Sequence, residues 1–389
     1  LKRSRGTDAL VVLAGLCVAV LLAEGVLRVF WPQRSDVTLG MFREDPHAGY
    51  SLRPDYRNEV RLPEYRVHIR VDEEGYRVPD AGPEASSPGA SRLLAIGDSF
   101  TFGVGVEAEE AYPARLAAEL GDADPGWVVR NGGVGGYGPL RSARLLRGRQ
   151  AAWHPDVVVH LLYAGNDLED PRPDSWLENP KVKGGRLVSP GRHPLRSLRL
   201  FLRTRSHLYA FLRDRLHGLY LASGLAERSH YLERVGRSEW PERIREVSWP
   251  AGRESLAEIR DWCEENDVRY LVAIAPARWQ VDDAAWKAYR AAWGGGEADS
   301  AFDRDKVTVT IRDTLDGLGI EALDLLPAFR AEQAAGRSLY YANDAHWTPE
   351  GHALAARVLA RRLADLGWLS AAGDSRRSVA GVTAADDAG

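Results

Sequence analysis

Ser99 stands in RLLAIGDSFTFGVG (Arg92 to Gly105), directly after an apolar run and just ahead of two glycines. A serine in a strand-to-helix turn has two uses. Its oxygen can cap the helix that follows, or it can act as a nucleophile once a base removes its proton. Such a base is available in NDAHW (Asn343 to Trp347), where His346 can take the proton and Asp344 can orient the imidazole and stabilise its charge. Acyl transfer through serine also requires donors aimed at the developing oxyanion. Ser99 N–H, a glycine N–H in NGGVGGYG (Asn131 to Gly138) and the Asn166 side-chain amide in AGND (Ala164 to Asp167) are the candidates. Asp98 and Asp167 fit loop-holding Asx bonds, Gly132, Gly133, Gly135 and Gly138 fit turns, and His352 fits a surface or packing role. Tyr137, Tyr163 and Trp347 flank the blocks and could stack on sugar rings, although packing is the commoner use of such residues.

These blocks need elements to hold them. Short apolar runs at residues 92–97, 127–131, 156–164, 268–276 and 320–326 read as strands covered on both faces. Amphipathic stretches at 111–120, 140–153, 254–266, 306–319 and 349–367 read as the helices between them, the last with Pro at its start and Gly at its end. The alternation implies an α/β fold, a doubly wound sheet of about five parallel strands of the flavodoxin-like kind. Ligands of such sheets bind beyond the carboxyl ends of the strands, where Ser99, the glycine block and Asn166 fall.

Residues 9–31 are apolar apart from Glu24 and Arg28, and at about 34 Å as a helix they are long enough to span a bilayer. Glu24 and Arg28 stand at i,i+4 and can pair, and Trp31 suits an interface. Lys2, Arg3 and Arg5 ahead of the span place residues 1–8 in the cytoplasm and the rest outside, periplasmic or at the cell surface. A cleaved signal peptide is the competing reading, but no convincing small-x-small site stands between Leu21 and Pro32, and Glu24 sits awkwardly there.

Four further divisions follow. Residues 32–91 read as a β-rich collar, residues 92–370 as the α/β domain, and residues 371–389 as a small, polar, disordered tail. Within the domain an arginine-dense insertion occupies about 170–253. Its helical apolar spacing suggests a basic helix covering one edge of the domain, or else a lid or a membrane-surface contact. A net charge of -4 gives no reason to expect nucleic acid as a partner, and neither a CxxC nor an HExxH pattern occurs. Cys17 and Cys263 do not form a disulfide framework. Gly133, Gly135 and Gly138 fit a dinucleotide G-x-G-x-x-G, but the next strand ends in Asn166 and Asp167, about 30 positions on and not the expected ~20. No cofactor or metal is expected.

The order GDS, N-x-x-x-x-G, G-N-D and D-x-H resembles the SGNH (GDSL-type) hydrolase superfamily, and the preceding anchor and GYRVPD stretch resemble its membrane-anchored bacterial members. That resemblance implies Ser99 as nucleophile, His346 as base, Asp344 as acid, and Ser99, Gly136 and Asn166 as the oxyanion hole. The usual last block spaces its acid three before the histidine, which would select Asn343; Asp344 is two before. Ala164 replaces a glycine often found two before the asparagine. The resemblance implies an extracytoplasmic serine esterase acting on O-acyl esters of envelope carbohydrate or lipid. An O-acyltransferase using the same serine and a non-catalytic envelope binding protein are the alternatives.

Overall fold

The structure is a computed structural model that describes residues 5–31, 40–62, 64–80, 90–123, 126–168, 181–188, 198, 202, 205–222, 235–293, 299–342 and 344–369. The expected tail, Asn343 and most of the 80–91 loop lie outside the described residues.

Helix α1 (Arg5–Phe30) carries the apolar N-terminal run. Its segment Val11–Phe30 has mean hydropathy 2.2 and none of that window is buried, so by length and composition it can cross a membrane. Two hairpins follow, β1 (Phe42–Asp45) with β2 (Gly49–Leu52), and β3 (Arg57–Arg61) with β4 (Arg66–Arg70). Strand β4 shows why this stretch pairs: in RVHIR, Val67 and Ile69 are buried while Arg66 and His68 are exposed, the period of a half-buried strand. The inward faces form a small core of Met41, Phe42, Tyr50, Leu52, Val67 and Ile69 that continues into Phe102, Val134 and Tyr137 of the larger domain.

That domain is built on β5 (Ser91–Gly97), β6 (Trp127–Asn131), β7 (Val157–Tyr163), β10 (Arg269–Ala275) and β11 (Glu321–Asp324), close to the expected runs. A separate two-stranded hairpin, β8 (Lys181–Lys183) and β9 (Arg186–Val188), lies between β7 and β10 in sequence. The sheet order is β11-β10-β7-β5-β6 and every pair is parallel. Counted by entry into the sheet this is 2-1-3-4-5, the flavodoxin-like order, whose switch point lies between its first and third strands. Those strands are β5 and β7, and Ser99 and Asn166 follow their carboxyl ends.

The helices of the domain are α2 (Ser99–Phe102), α3 (Tyr112–Ala123), α4 (Pro139–Gly148), α5 (His207–Ala222), α6 (Trp249–Glu265), α7 (Arg278–Val281), α8 (Asp283–Trp293), α9 (Lys306–Gly317), α10 (Leu326–Ala334) and α11 (Pro349–Asp365). Helix α3 packs with α11, and α4 with α6. Right-handed crossovers on either side of the switch point put these two pairs on opposite faces. Helices α7, α8 and α10 are additions to the expected set. Arg253, at which the sequence reading ends the insertion, lies inside α6, so that helix already belongs to the βα framework.

The two cores meet at Arg77, 3 % exposed. Its guanidinium donates to the carbonyls of Phe102 (2.7 Å), Gly103 and Val106 (2.6 Å) and lies 4.7 Å above the Phe102 ring. Its backbone N–H donates to Asn131 O at 3.2 Å. One side chain from the collar thus ties down the carboxyl end of α2 and the loop after it. Burial pulls the Arg77 guanidinium down to about 10, against the pull of Glu107, Glu109 and Glu110, so it stays charged at neutral pH. We expect Arg77→Met to strand Val106 O, leave Phe102 O and Gly103 O with only their longer bonds from Asn131 Nδ2 (3.3 Å) and Val106 N (3.4 Å), and lower stability in detergent by about 2 kcal/mol, read from the urea midpoint. An unchanged midpoint would remove Arg77 from the supports of the fold.

Candidate active site

Strand β5 delivers Ser99 through a tight corner. Gly97 has φ +144, and a Cβ there would meet Thr101 Oγ1 at 2.5 Å and Leu161 O at 2.7 Å, so only glycine fits. Asp98 caps the short helix α2, its Oδ1 accepting Phe100 N at 2.8 Å. The serine therefore is not the cap; Asp98 has that task and the Ser99 hydroxyl is released for other use. Asn131, first residue of the glycine block, is structural: its Oδ1 accepts Gly133 N at 3.0 Å and its Nδ2 donates to Phe102 O at 3.3 Å.

His346 arrives from the other end of the chain. Tyr340 and Trp347 form an antiparallel bridge, which pinches residues 340–347 into a narrow loop ahead of α11. Trp347 is fully buried, 5.0 Å from both Phe329 and Phe100 between ring centroids, and acts as the pin of that loop. Thr348 Oγ1 accepts Gly351 N and caps α11, with Pro349 at its first turn. The pinned loop places His346 Nε2 2.8 Å from Ser99 Oγ. His346 Nδ1 hydrogen-bonds Asp344 Oδ1, which also accepts His346 N at 3.1 Å. Ser99, His346 and Asp344 are therefore brought together as a continuous chain of hydrogen bonds, and Asp344 reaches the imidazole from two positions before it.

The other oxygen of Asp344 accepts the Tyr65 hydroxyl at 3.1 Å. Tyr65 comes from the collar, 279 positions away, and sequence reasoning missed it because nothing local marks it. Its ring lies 5.1 Å from that of Tyr341, whose hydroxyl donates to Gly105 O at 2.7 Å. Next to it, Glu64 Oε1 accepts Ala342 N at 2.8 Å. The collar thus closes over the 340–347 loop. The bonds from His346 and Tyr65 hold the Asp344 carboxyl below the usual carboxylate range, although burial, the largest influence, pushes it upward.

Asn166 follows β7, where Asp167 Oδ2 accepts Tyr163 N at 2.7 Å and fixes the turn. Asn166 Oδ1 is buried and has no hydrogen-bond partner. Gly136, in the turn after β6, has φ +79, the conformation that favours glycine, and its carbonyl accepts the Tyr50 hydroxyl at 3.2 Å. Tyr137, Tyr163 and Trp347 are all buried and serve packing: Phe100 stacks on Tyr163 at 4.2 Å and lies 5.0 Å from the His346 ring. His352 is a core residue, its Nδ1 accepting Tyr112 N at 3.2 Å, and burial pushes its imidazole down to about 3.

Two pH effects of opposite sign follow. Burial raises the Asp98 carboxyl to about 6, against the Phe100 N–H bond and the field of His346. Ionising it costs the folded state stability as pH rises from the ordinary carboxylate value through about 6. Asp98→Asn, which keeps the cap acceptor, should gain stability relative to wild type between pH 4 and pH 8 in urea titrations. Asp344, held low, stabilises the fold above the unfolded carboxylate value, and this contribution is lost as pH falls through its lower folded value. Tyr65→Phe should raise the folded value toward the unfolded one, so that Tm is lower at neutral pH and its fall on acidification is smaller and complete at higher pH; superimposable curves would show that the Tyr65 bond contributes nothing.

Residues 241–388 match the family model described as SGNH hydrolase-like domain, acetyltransferase AlgX, a match that includes Asp344 and His346 but not Ser99. No curated protein matches the chain. Among solved structures, a catalytic mutant of an acetylxylan esterase from Geobacillus stearothermophilus is 11% identical, with 71% of this chain and 95% of that one covered at a TM-score of 0.39. A lipase/acylhydrolase from Enterococcus faecalis is 13% identical, with 70% and 95% covered at a TM-score of 0.38. The strand order, more than these loose likenesses, defines the fold. Over residues 241–388 the chain is similar to an SGNH hydrolase-like domain, and its sheet has the flavodoxin-like strand order.

Proposed function

We propose that the protein is a serine-dependent acyl-transfer enzyme that opens O-acyl esters, chiefly acetyl, of cell-envelope carbohydrate or lipid. Its domain would be held outside the membrane by residues 9–31. The observation that carries the reading is the 2.8 Å contact of Ser99 Oγ with His346 Nε2, backed by the bond from His346 Nδ1 to Asp344. In the first step Ser99 Oγ attacks the ester carbonyl while His346 Nε2 takes its proton, and Asp344 stabilises the imidazolium. The oxyanion is met by Ser99 N–H, Gly136 N–H and the Asn166 amide. Collapse breaks the bond to the alcohol, which leaves with the proton from His346 and gives acyl-Ser99. A second hydroxyl, activated by the same imidazole, then takes the acyl group. If that hydroxyl belongs to water the enzyme is an esterase.

A second reading has support of its own. The matched family is described by an acetyltransferase, which favours a sugar hydroxyl as the final acceptor. The chemistry at Ser99 is the same in both. The apolar segment Val11–Phe30, preceded by Lys2, Arg3 and Arg5, supports an anchor with the domain on the outer side.

Ser99→Ala should lower turnover of acetylated sugars by at least ~10³-fold, and Asn166→Ala by roughly 10²–10³-fold. A fluorophosphonate should add once to the wild type and not to Ser99→Ala, as read by intact mass. Release of free acetate against transfer to an added sugar separates the two readings. Undiminished turnover in Ser99→Ala would overturn both.

A further inference from the structure

Glu24 is the most awkward residue in the anchor, a carboxylate in a segment otherwise fit for hydrocarbon. The structure gives it a partner from the arginine-rich insertion. Its Oε1 accepts His207 N at 2.9 Å, and its Oε2 accepts Leu208 N at 2.8 Å and Ser206 Oγ at 2.9 Å. Ser206 Oγ in turn accepts Tyr209 N at 3.0 Å, and Ser206 O accepts Ala210 N at 3.2 Å. All four N–H groups of the first turn of α5 therefore have acceptors, two of them supplied by the anchor. Arg28 completes the joint, donating to Glu24 Oε1 at 3.0 Å and to Arg205 O at 2.6 Å. One turn on, Trp31 meets Phe211 edge-on at 6.0 Å, and Arg215 lies 4.8 Å over the Phe211 ring.

Length decides where this joint sits. The uninterrupted apolar run, residues 9–23, is about 22 Å long as a helix, short of a hydrocarbon core of about 30 Å. A span must therefore run on past Glu24, toward the end of Val11–Phe30. Glu24 then lies about 9 Å inside that end, and the start of α5 lies beside it. The surface of the insertion agrees. Outside the anchor, the exposed large apolar side chains among the described residues are Leu198, Leu212, Leu216, Val247 and Val309, and the first three belong to this segment. Arg213 and Arg215 on the same helix suit headgroups, with long stems that can lie along apolar surface.

We propose that α5 is a membrane-interface helix. It starts beside Glu24, below the outer end of the span, and reaches headgroup level by Phe211 beside Trp31, with Leu212 and Leu216 turned to lipid. The partner is the lipid bilayer, and the insertion fixes how the domain is held over it, whereas a flexible tether would leave that open. The inference rests on the reading of residues 9–31 as a retained anchor.

The test uses the full chain with Cys17→Ser, reconstituted in vesicles of phosphatidylcholine and phosphatidylglycerol; Cys263 is buried. An environment-sensitive fluorophore is placed through Leu212→Cys, and separately through Val18→Cys in the anchor and Val309→Cys on α9. At position 212 we expect quenching by lipids with a shallow nitroxide and shielding from iodide by about threefold relative to position 309. Adding Glu24→Ala should abolish that shielding and leave position 18 unchanged. Iodide access at 212 equal to that at 309 overturns the proposal, as does shielding from iodide without nitroxide quenching, which would mean that another copy of the chain covers the helix. Shielding that survives Glu24→Ala overturns the clamp. A probe at position 18 that is open to iodide defeats the anchor reading itself, an outcome separate from the others.

Discussion

The buried guanidinium of Arg77 stands between the two hydrophobic cores of this protein. Arg77 is enclosed by the collar and by the turn that carries Ser99, and it offers its donors to backbone carbonyls of Phe102, Gly103 and Val106. A charge in that position is tolerated because the carbonyls at the end of a four-residue helix have no later turn to bond to. The two needs cancel. Without the collar, the carbonyls after α2 would lose their shortest donors beside the candidate nucleophile; without α2, the collar would bury an unpaired cation.

The candidate site is a joint product of parts that are remote in the chain. The switch point of the sheet brings together the ends of β5 and β7, and so Ser99 and Asn166. The pinned 340–347 loop adds His346 and Asp344, and the collar adds Tyr65 to the far oxygen of Asp344. Each contact is a hydrogen bond. Their common effect is to restrict the rotamers of the serine, imidazole and carboxylate before any substrate arrives, which is where positioning has its largest effect on rate. The anchor shows the same economy: the carboxylate that a span tolerates poorly is the one that completes the first turn of α5.

Much of this was legible beforehand. The five strands were readable because parallel strands buried on both faces are short apolar runs bounded by turn residues. Strand β7, VVVHLLY, is buried throughout, and its His160 stays neutral with its Nδ1 against the Tyr270 hydroxyl at 2.9 Å. Helices α7, α8 and α10 were not singled out: α7 is only one turn long, and the first turn of α10 holds Pro327, which reads equally well as loop. The boundary of the insertion was hard to read because arginine density changes gradually there, whereas helix α6 starts at Trp249 and runs through it.

The sequence by itself determined the fold class, the residue types able to do acyl chemistry and the order in which they occur, because periodicity and strand-end motifs are local properties of the chain. Only the tertiary structure decided that Asp344 contacts His346, that Asp98 and not Ser99 caps α2, and that Tyr137, Tyr163 and Trp347 pack in the interior. It alone revealed Arg77, Tyr65 and the Glu24 joint as supports. The physical reason is distance along the chain. A hydrogen bond between residues 279 positions apart leaves no trace in spacing or composition, since it exists only once the sheet has fixed which loops share an edge.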